Sequence, residues 1–316
     1  MARSMRYEVG PDEIARDDAS VVTTGTFDGV HRGHQAILQY LKRRADVRSG
    51  PSTVVSFDPH PREVVGNEPV PLLTTIDERA RILESLGIDR FVVLPFTEAF
   101  ANLEAASYVE DVLLGQVGMK EILIGYDHAF GKDREGDREL LEQMGEAHGF
   151  TVDVIPPQEV NHDVVSSSKI RTLLIDEGDV SRAAKLLGRP YSLRGTVEEG
   201  AGRGRKIGYP TANLSIGHPK KLVPKIGVYA THVQIDAEGP VRAGMMNIGR
   251  RPTFDGMDVT VEVHLLDFQG DLYGKTLRVE FLRRLRDEQK FDSVDDLVAQ
   301  LSRDEDHCKR VIQALN

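Results

Sequence analysis

The ten residues GTFDGVHRGH, Gly25 to His34, set two imidazoles, His31 and His34, on either side of Gly33. The run before them, SVVTTGTF, is β-branched and apolar, as a buried strand is. The run after them, HQAILQYLKRR, brings Ile37, Leu38 and Leu41 to helical spacing. A strand therefore gives way to a helix at the histidines. The first N–H groups of that helix have no partner within it, and its dipole is positive at this end, so the turn is a ready anion site. Gly25, Gly29 and Gly33 let the backbone turn tightly and approach a ligand. Both rings can add donors to the same anion, an arrangement that suits a nucleotide triphosphate.

Three further segments carry polar groups of the same kind. FDPHP, Phe57 to Pro61, follows a second apolar run, and GYDHAFG, Gly125 to Gly131, follows a later one. SSSKIR, Ser166 to Arg171, opens another helix with hydroxyls that can cap it or donate. Lys169 adds charge there, and Arg171 can grip phosphate through two parallel hydrogen bonds. Taken singly, these are a rigid loop, a turn and a helix cap. In this order, together, they resemble the adenylyltransferase half of bacterial bifunctional riboflavin kinase/FAD synthetases. The resemblance implies transfer of AMP from ATP to FMN with release of pyrophosphate. It assigns His31 and His34 to the ATP phosphates in the transition state, and Gly25, Phe27, Asp28 and Gly33 to the nucleotide site around them. It sets Ser167, Ser168 and Arg171 on the phosphates from the other side, and Asp127 against nucleotide or metal. His128 departs from the family pattern, which has Phe at that place.

GAGRGRKIGYPTANL, Gly200 to Leu214, is a second glycine-rich, basic stretch. It lacks the spacing of a Walker loop and of a dinucleotide fingerprint. Its backbone N–H groups can still meet phosphate, with Arg203, Arg205 and Lys206 beside them. Thr211 and Asn213 face the same side of an extended segment, and a hydroxyl with an amide oxygen can ligate Mg²⁺. PTAN closely resembles the riboflavin kinase signature. So do GVYA at Gly227, NIGRRPTF at Asn247, VEVHLLDF at Val261, DLYG at Asp271 and LRDEQKF at Leu285. That likeness implies phosphorylation of riboflavin by ATP, with Thr211 and Asn213 on metal and Gly202, Arg203, Arg205, Lys206, Pro210 and Asn247 on ATP or flavin. A ribityl hydroxyl is not ionised at neutral pH, so this reaction needs a base, and Glu262 is the family-matched carboxylate. His264 shares its strand face and reads as a surface group. Arg286, Glu288 and Lys290 read as surface ion pairs, with Arg286 also a candidate for flavin contact.

The elements that must hold these groups follow from periodicity. Strand patterns at Ser20–Thr24, Thr53–Phe57, Arg90–Leu94, Glu121–Ile124 and Thr151–Ile155 alternate with helical ones near 33–44, 77–86, 103–114 and 137–148, which predicts a parallel α/β sheet. Ligands of such sheets sit at the carboxyl ends of the strands, where both Gly25 to His34 and Gly125 to Gly131 fall. Beyond Gly188 the pattern changes to strands near 191–198, 227–235, 241–248, 259–267 and 276–282 without helices, as in a barrel or sandwich. A last helix carries an apolar stripe through Val294, Leu301, Cys308 and Val311, so Cys308 reads as core. The expected fold is an α/β nucleotidyltransferase-type, Rossmann-like domain with a parallel sheet over 1–187. An antiparallel β-barrel riboflavin kinase domain with a C-terminal helix follows over 188–316.

Bulk properties bound the rest. The chain has 316 residues, a net charge of −10 and one cysteine. It is long enough for two cores, too acidic for a broad nucleic-acid footprint, and without a disulfide framework. The N-terminal residues lack the apolar core of a signal peptide, and no apolar run reaches membrane-span length. The expectation is a cytoplasmic, Mg²⁺-dependent enzyme, monomeric or weakly homo-oligomeric. It acts on small flavins and ATP, not on nucleic acid or membranes. The alternatives are an enzyme with one inactive half, or a flavin- or nucleotide-binding regulator.

Overall fold

A computed structural model of the chain describes residues 4–125, 130–132, 135–155, 159–160, 163–200, 203–237, 239–253 and 256–315. It divides into two compact units, Met1–Ser167 and Ser168–Asn316.

The first unit is built on β1 (Arg6–Val9), β2 (Ser20–Thr24), β3 (Ser52–Asp58), β4 (Arg90–Pro95), β5 (Met119–Gly125) and β6 (Thr151–Ile155). They pair in parallel in the order β1-β4-β3-β2-β5-β6. The connections carry α1 (Arg32–Arg48), α2 (Pro61–Gly66), α3 (Ile76–Ser85), α4 (Glu98–Ala101), α5 (Ala105–Ser107) with a π-helical run Tyr108–Val117, and α6 (Arg138–His148). Strand alternation splits the core between the two faces. Val21, Val54, Phe91 and Leu123 pack with Leu38 and Leu41 of α1 and Leu83 of α3. Val22, Val55, Val92 and Ile122 pack with Tyr108, Leu113 and Leu141. The chain order reverses about β2, so the switch-point crevice opens at the carboxyl end of β2, where the histidine turn begins.

All five strands expected of this sheet are present. The edge strand β1 is additional. Its residues RYEV carry little apolar signal, and a buried ion pair holds it. The Arg90 guanidinium donates to Glu8 Oε2 at 2.9 Å, to the Ala15 carbonyl at 2.7 Å and to Ser20 Oγ at 2.9 Å. A two-residue hairpin pair, β7 (Glu159–Val160) and β8 (Asp163–Val164), follows the sheet.

The second unit starts with α7 (Ser167–Thr172), a π-helical turn Leu173–Glu177, and α8 (Val180–Leu187). Its strands are β9 (Ser192–Glu198), β10 (Ala212–Ile216), β11 (Gly227–Ile235), β12 (Val241–Thr253), β13 (Gly256–Leu265) and β14 (Thr276–Arg286), with α9 (Arg203–Lys206) between β9 and β10. They close an antiparallel barrel in the order β10-β13-β12-β11-β14-β9, and α10 (Val294–Gln313) ends the chain. The parting in compactness lies upstream of the expected 187/188 boundary. The reason is that α8 packs on β14, with Ser181 Oγ donating to the Leu282 carbonyl at 2.9 Å. Ser293 caps α10 by accepting from Asp296 N–H at 3.1 Å. Cys308 lies in the core under the barrel wall, its thiol pushed up to about 11 by burial, as expected of a packing residue.

Arg90→Met will leave Glu8 buried without its cation and lower the unfolding free energy of the first unit by about 3–5 kcal/mol. The urea midpoint followed by circular dichroism measures this. Arg138→Met, which breaks the exposed Arg138–Glu142 pair, will leave that midpoint nearly unchanged.

Candidate active sites

The histidine turn leaves β2 through three residues in the left-handed region: Phe27 (φ 47°), Gly29 (φ 82°) and Val30 (φ 38°). Two of these carry side chains, and such backbone persists only where surrounding bonds fix it. Asp28 does the fixing. Its fully buried carboxylate accepts from Leu73 N–H at 3.0 Å, Thr74 N–H at 2.8 Å and the Thr74 hydroxyl at 3.0 Å. The Arg79 guanidinium lies 3.6 Å away. Thr74 Oγ1 in turn accepts from Gly29 N–H at 2.9 Å. The sequence expectation set Asp28 and Phe27 on the nucleotide. In the structure the Asp28 carboxylate is buried and hydrogen-bonded within the protein, and the Phe27 ring is buried against His34 with centroids 4.9 Å apart. Both shape the turn that presents the histidines.

His31 is the N-cap of α1, its ring Nδ1 accepting from His34 N–H at 3.3 Å. A neutral His31 with Nδ1 as acceptor carries its proton on Nε2. The two rings stack with centroids 3.6 Å apart and planes 16° apart. Gly33 makes room for this, since a Cβ there would stand 3.2 Å from two atoms of the His31 ring. Burial, then the neighbouring His31 and Arg79, hold the His34 imidazole well below its ordinary value. His34 thus starts neutral, its ring stacked on His31 over a helix N-terminus.

Gly25 stays on the sheet ladder, its N–H donating to the Val55 carbonyl at 3.0 Å. Ser167 reaches the turn directly, its Oγ donating to the Asp28 carbonyl at 2.9 Å. Ser168 and Arg171 follow on α7, grouped with the second unit. His60 of the FDPHP loop caps α2 by accepting from Arg62 N–H at 3.2 Å. Asp127 and His128 lie outside the described residues. Sequence reasoning missed Arg79 and Thr74. The only signal for Arg79 was a cation placed beside Ala80 on the inner stripe of α3.

The barrel brings the second set together through strand register. Glu262 on β13 stands opposite Asn213 on β10 and opposite Asn247 on β12. Directly opposed residues share a face with Cβ atoms about 5 Å apart, so a carboxylate sits between two amides. Its neighbours Val261 and Val263 are buried on the other face, as their alternation requires. Thr211 Oγ1 donates to Glu262 Oε2 at 3.0 Å, which leaves the hydroxyl lone pairs available to a cation. Thr211, Pro210 and Arg205 also line a pocket of about 340 Å³ with Val263, Phe268 and Asp271. His264 Nδ1 lies 2.7 Å from the Pro210 carbonyl and pins the start of this segment. Lys206 is exposed at the end of α9, and of Arg203 the backbone alone is described. Gly202 lies outside the described residues. Arg286 pairs inward, gripping the buried Asp304 of α10 at 2.8 Å and 3.0 Å from Nε and at 2.7 Å from Nη2. Among the described residues no cluster of three or more His, Cys, Asp or Glu is placed to hold a metal. The neutral oxygens of Thr211 and Asn213 fit Mg²⁺ that arrives with nucleotide phosphates, the usual way Mg²⁺ is held.

The FAD synthetase family model matches residues 13–169, and the riboflavin kinase family model matches residues 187–312. The bifunctional riboflavin kinase/FMN adenylyltransferase of Pseudomonas fluorescens is 40% identical over 285 residues, covering 90% of each chain. The protein of the same name from Escherichia coli strain K12 is 38% identical over 292 residues, covering 92% of each. A crystal structure named as a macrolide-efflux protein from Streptococcus pneumoniae has a TM-score of 0.87 at 34% identity, covering 97% of this chain and 99% of that one. Among the described residues no helix is long and apolar enough to cross a membrane.

The ring protons of His34 will show no titration from about pH 8 to pH 6 in histidine-labelled spectra, the window in which an ordinary imidazole titrates. The linked effect has a sign. The unfolded chain takes up the proton below its ordinary value while the folded ring does not, so stability falls as pH drops through that value.

Proposed function

The chain belongs to the bifunctional riboflavin kinase/FMN adenylyltransferase family, and from that premise we propose which of its residues carry each reaction. It is a riboflavin kinase and an FAD synthetase, making FMN from riboflavin and ATP, and then FAD from FMN and a second ATP. In the kinase half, the ribityl oxygen forms its bond to the ATP γ-phosphorus, the hydroxyl proton passes to Glu262, and ADP leaves. Asn213 and Asn247 flank the carboxylate and orient it. Mg²⁺ bound with ATP would neutralise phosphate charge, and Thr211 Oγ1 with the Asn213 amide oxygen would hold it. Arg205, Lys206, Pro210 and the Gly202–Arg203 segment face ATP or flavin. The single observation that carries this reading is Glu262 hydrogen-bonded by Thr211 between two register-paired amides.

In the other half the FMN phosphate is already ionised at neutral pH, so no base is required. Its oxygen attacks the ATP α-phosphorus and pyrophosphate leaves. What the protein supplies is alignment and charge stabilisation. His31 Nε2–H and His34 donate to the phosphates as charge builds. Gly25 and Gly33 let the backbone close on them, and the family resemblance adds Ser167, Ser168, Arg171 and Asp127 to the nucleotide contacts. We assign this half to 1–187 and the kinase to 188–316. We further take the enzyme to be cytoplasmic, monomeric or weakly homo-oligomeric, and without nucleic-acid partners. Its net charge of −10 and its one buried cysteine support that reading.

Separate incubations with riboflavin and with FMN, each with ATP and Mg²⁺, test the division by chromatography of the products. Glu262→Gln will slow FMN formation by about a hundredfold or more and leave FAD formation from FMN intact. His34→Ala will slow FAD formation by about 10²–10³ and leave the kinase intact. One substitution that destroys both activities in a folded chain overturns the division.

A further inference from the structure

We propose that Arg79 is a positioning residue for adenylyl transfer, its buried guanidinium holding the histidine turn in the shape that aims His31 and His34 at the phosphates. The inference rests on the assignment of those histidines to the ATP phosphates.

Arg79 lies on the inner face of α3 and is 2% exposed. Its bonds leave α3 for the turn. Nη1 donates to Ser56 Oγ at 3.0 Å, and that hydroxyl donates onward to the Thr26 carbonyl at 3.2 Å. Nη2 donates to the Thr74 carbonyl at 3.3 Å and stands 3.6 Å from Asp28. One planar fork therefore reaches both ends of the Thr26–Asp28 step, through Ser56 at one end and directly at the other. It also grips Thr74, the residue that caps Gly29 and feeds Asp28. Asp28 in turn carries Ser167 on its carbonyl.

Packing alone does not account for a cation here. Burying a guanidinium is costly, and burial does push the Arg79 group down from its ordinary value. An apolar side chain beside Ala80 and Leu83 would fill the same face of α3 at lower cost. The charge fits a different demand. The turn holds a carboxylate facing inward and must present donors facing outward, and the guanidinium balances the first without using any donor of the second. A lysine could reach one of these partners, but a single ammonium lacks the parallel fork that spans Ser56 and the Asp28–Thr74 pair.

The test uses Arg79→Met and Arg79→Lys in the full chain, with circular dichroism and the urea midpoint of the first unit as the folding control and the riboflavin kinase rate as the control for the second. For both variants we expect kcat of FMN adenylylation to fall about 10–100-fold, the scale of misaligned reacting groups. KM for ATP and the kinase rate will stay near those of the unaltered chain. Long-range ¹H–¹⁵N spectra of histidine-labelled protein give a readout that activity does not. The unaltered chain will show His31 fixed as the Nε2–H form, and the variants will show it averaging between tautomers. Should Arg79→Met fail to fold, Arg79→Lys, which keeps a cation for Asp28, carries the test alone. Unchanged kcat together with a fixed His31 tautomer in a folded variant overturns the proposal. If instead His34→Ala retains full adenylylation, the histidine assignment is what has failed.

Discussion

The first site depends on one buried carboxylate that must be satisfied. Asp28 sits in the middle of a turn that would otherwise be a flexible glycine-containing loop. Each of its oxygens is met by backbone N–H or hydroxyl donors of Leu73 and Thr74, with Arg79 behind them. A buried carboxylate without such partners would be expensive, so the chain adopts the conformation that supplies them. That conformation forces Phe27 and Val30 into left-handed backbone, swings Phe27 under the His34 ring, and leaves His31 to cap α1 with its own imidazole. The geometry of the histidine turn is thus a by-product of satisfying an internal charge.

The second site obeys a different constraint, the alternation of a closed barrel wall. Val261, Val263 and Leu265 must face the interior, so Glu262 must face out, and the neighbouring strands deliver Asn213 and Asn247 at its level. No buried charge is involved. The contrast follows the chemistry. Kinase transfer asks a carboxylate to accept a proton, and an outward-facing carboxylate held by a hydroxyl is suited to that. Adenylyl transfer asks for donors that do not move, and the buried network around Asp28 supplies rigidity.

The parallel sheet and its helices were legible because each interior strand is an apolar run and each helix an apolar stripe. The strand β1 was not, because RYEV owes its place to the long-range contact of Glu8 with Arg90 and not to its own pattern. The histidine turn was legible as an anion site from residue types alone. The partners of Asp28 were not legible for a reason of distance: a carboxylate next to a glycine and three residues from a histidine looks like a ligand, while its hydrogen-bond and ion-pair partners come from residues 73–79. The Arg286 pairing left as little trace, since Asp304 approaches the end of its strand from the C-terminal helix. Glu262 with its amides needed a family resemblance, because register between three strands leaves no trace in any one of them.

The charged anchors of the sheet lie at the edge opposite the chemistry. Arg90 is the first residue of β4, and Glu121 lies near the start of β5. Burial alone would raise the Glu121 carboxyl, but Arg44 and Arg48 together hold it below the usual carboxylate range. Arg44 Nε meets it at 2.5 Å, and Arg48 joins from the last turn of the same helix. That helix is α1, whose first turn carries His31 and His34. It runs from the carboxyl edge of the sheet back to the amino edge and is clamped there by two guanidiniums on one buried carboxylate. A rigid rod fixed at its far end and packed along its length through Leu38, Leu41 and Ala45 cannot pivot at its near end. The helix N-terminus is therefore held from behind by α1, while Asp28 holds the turn from below.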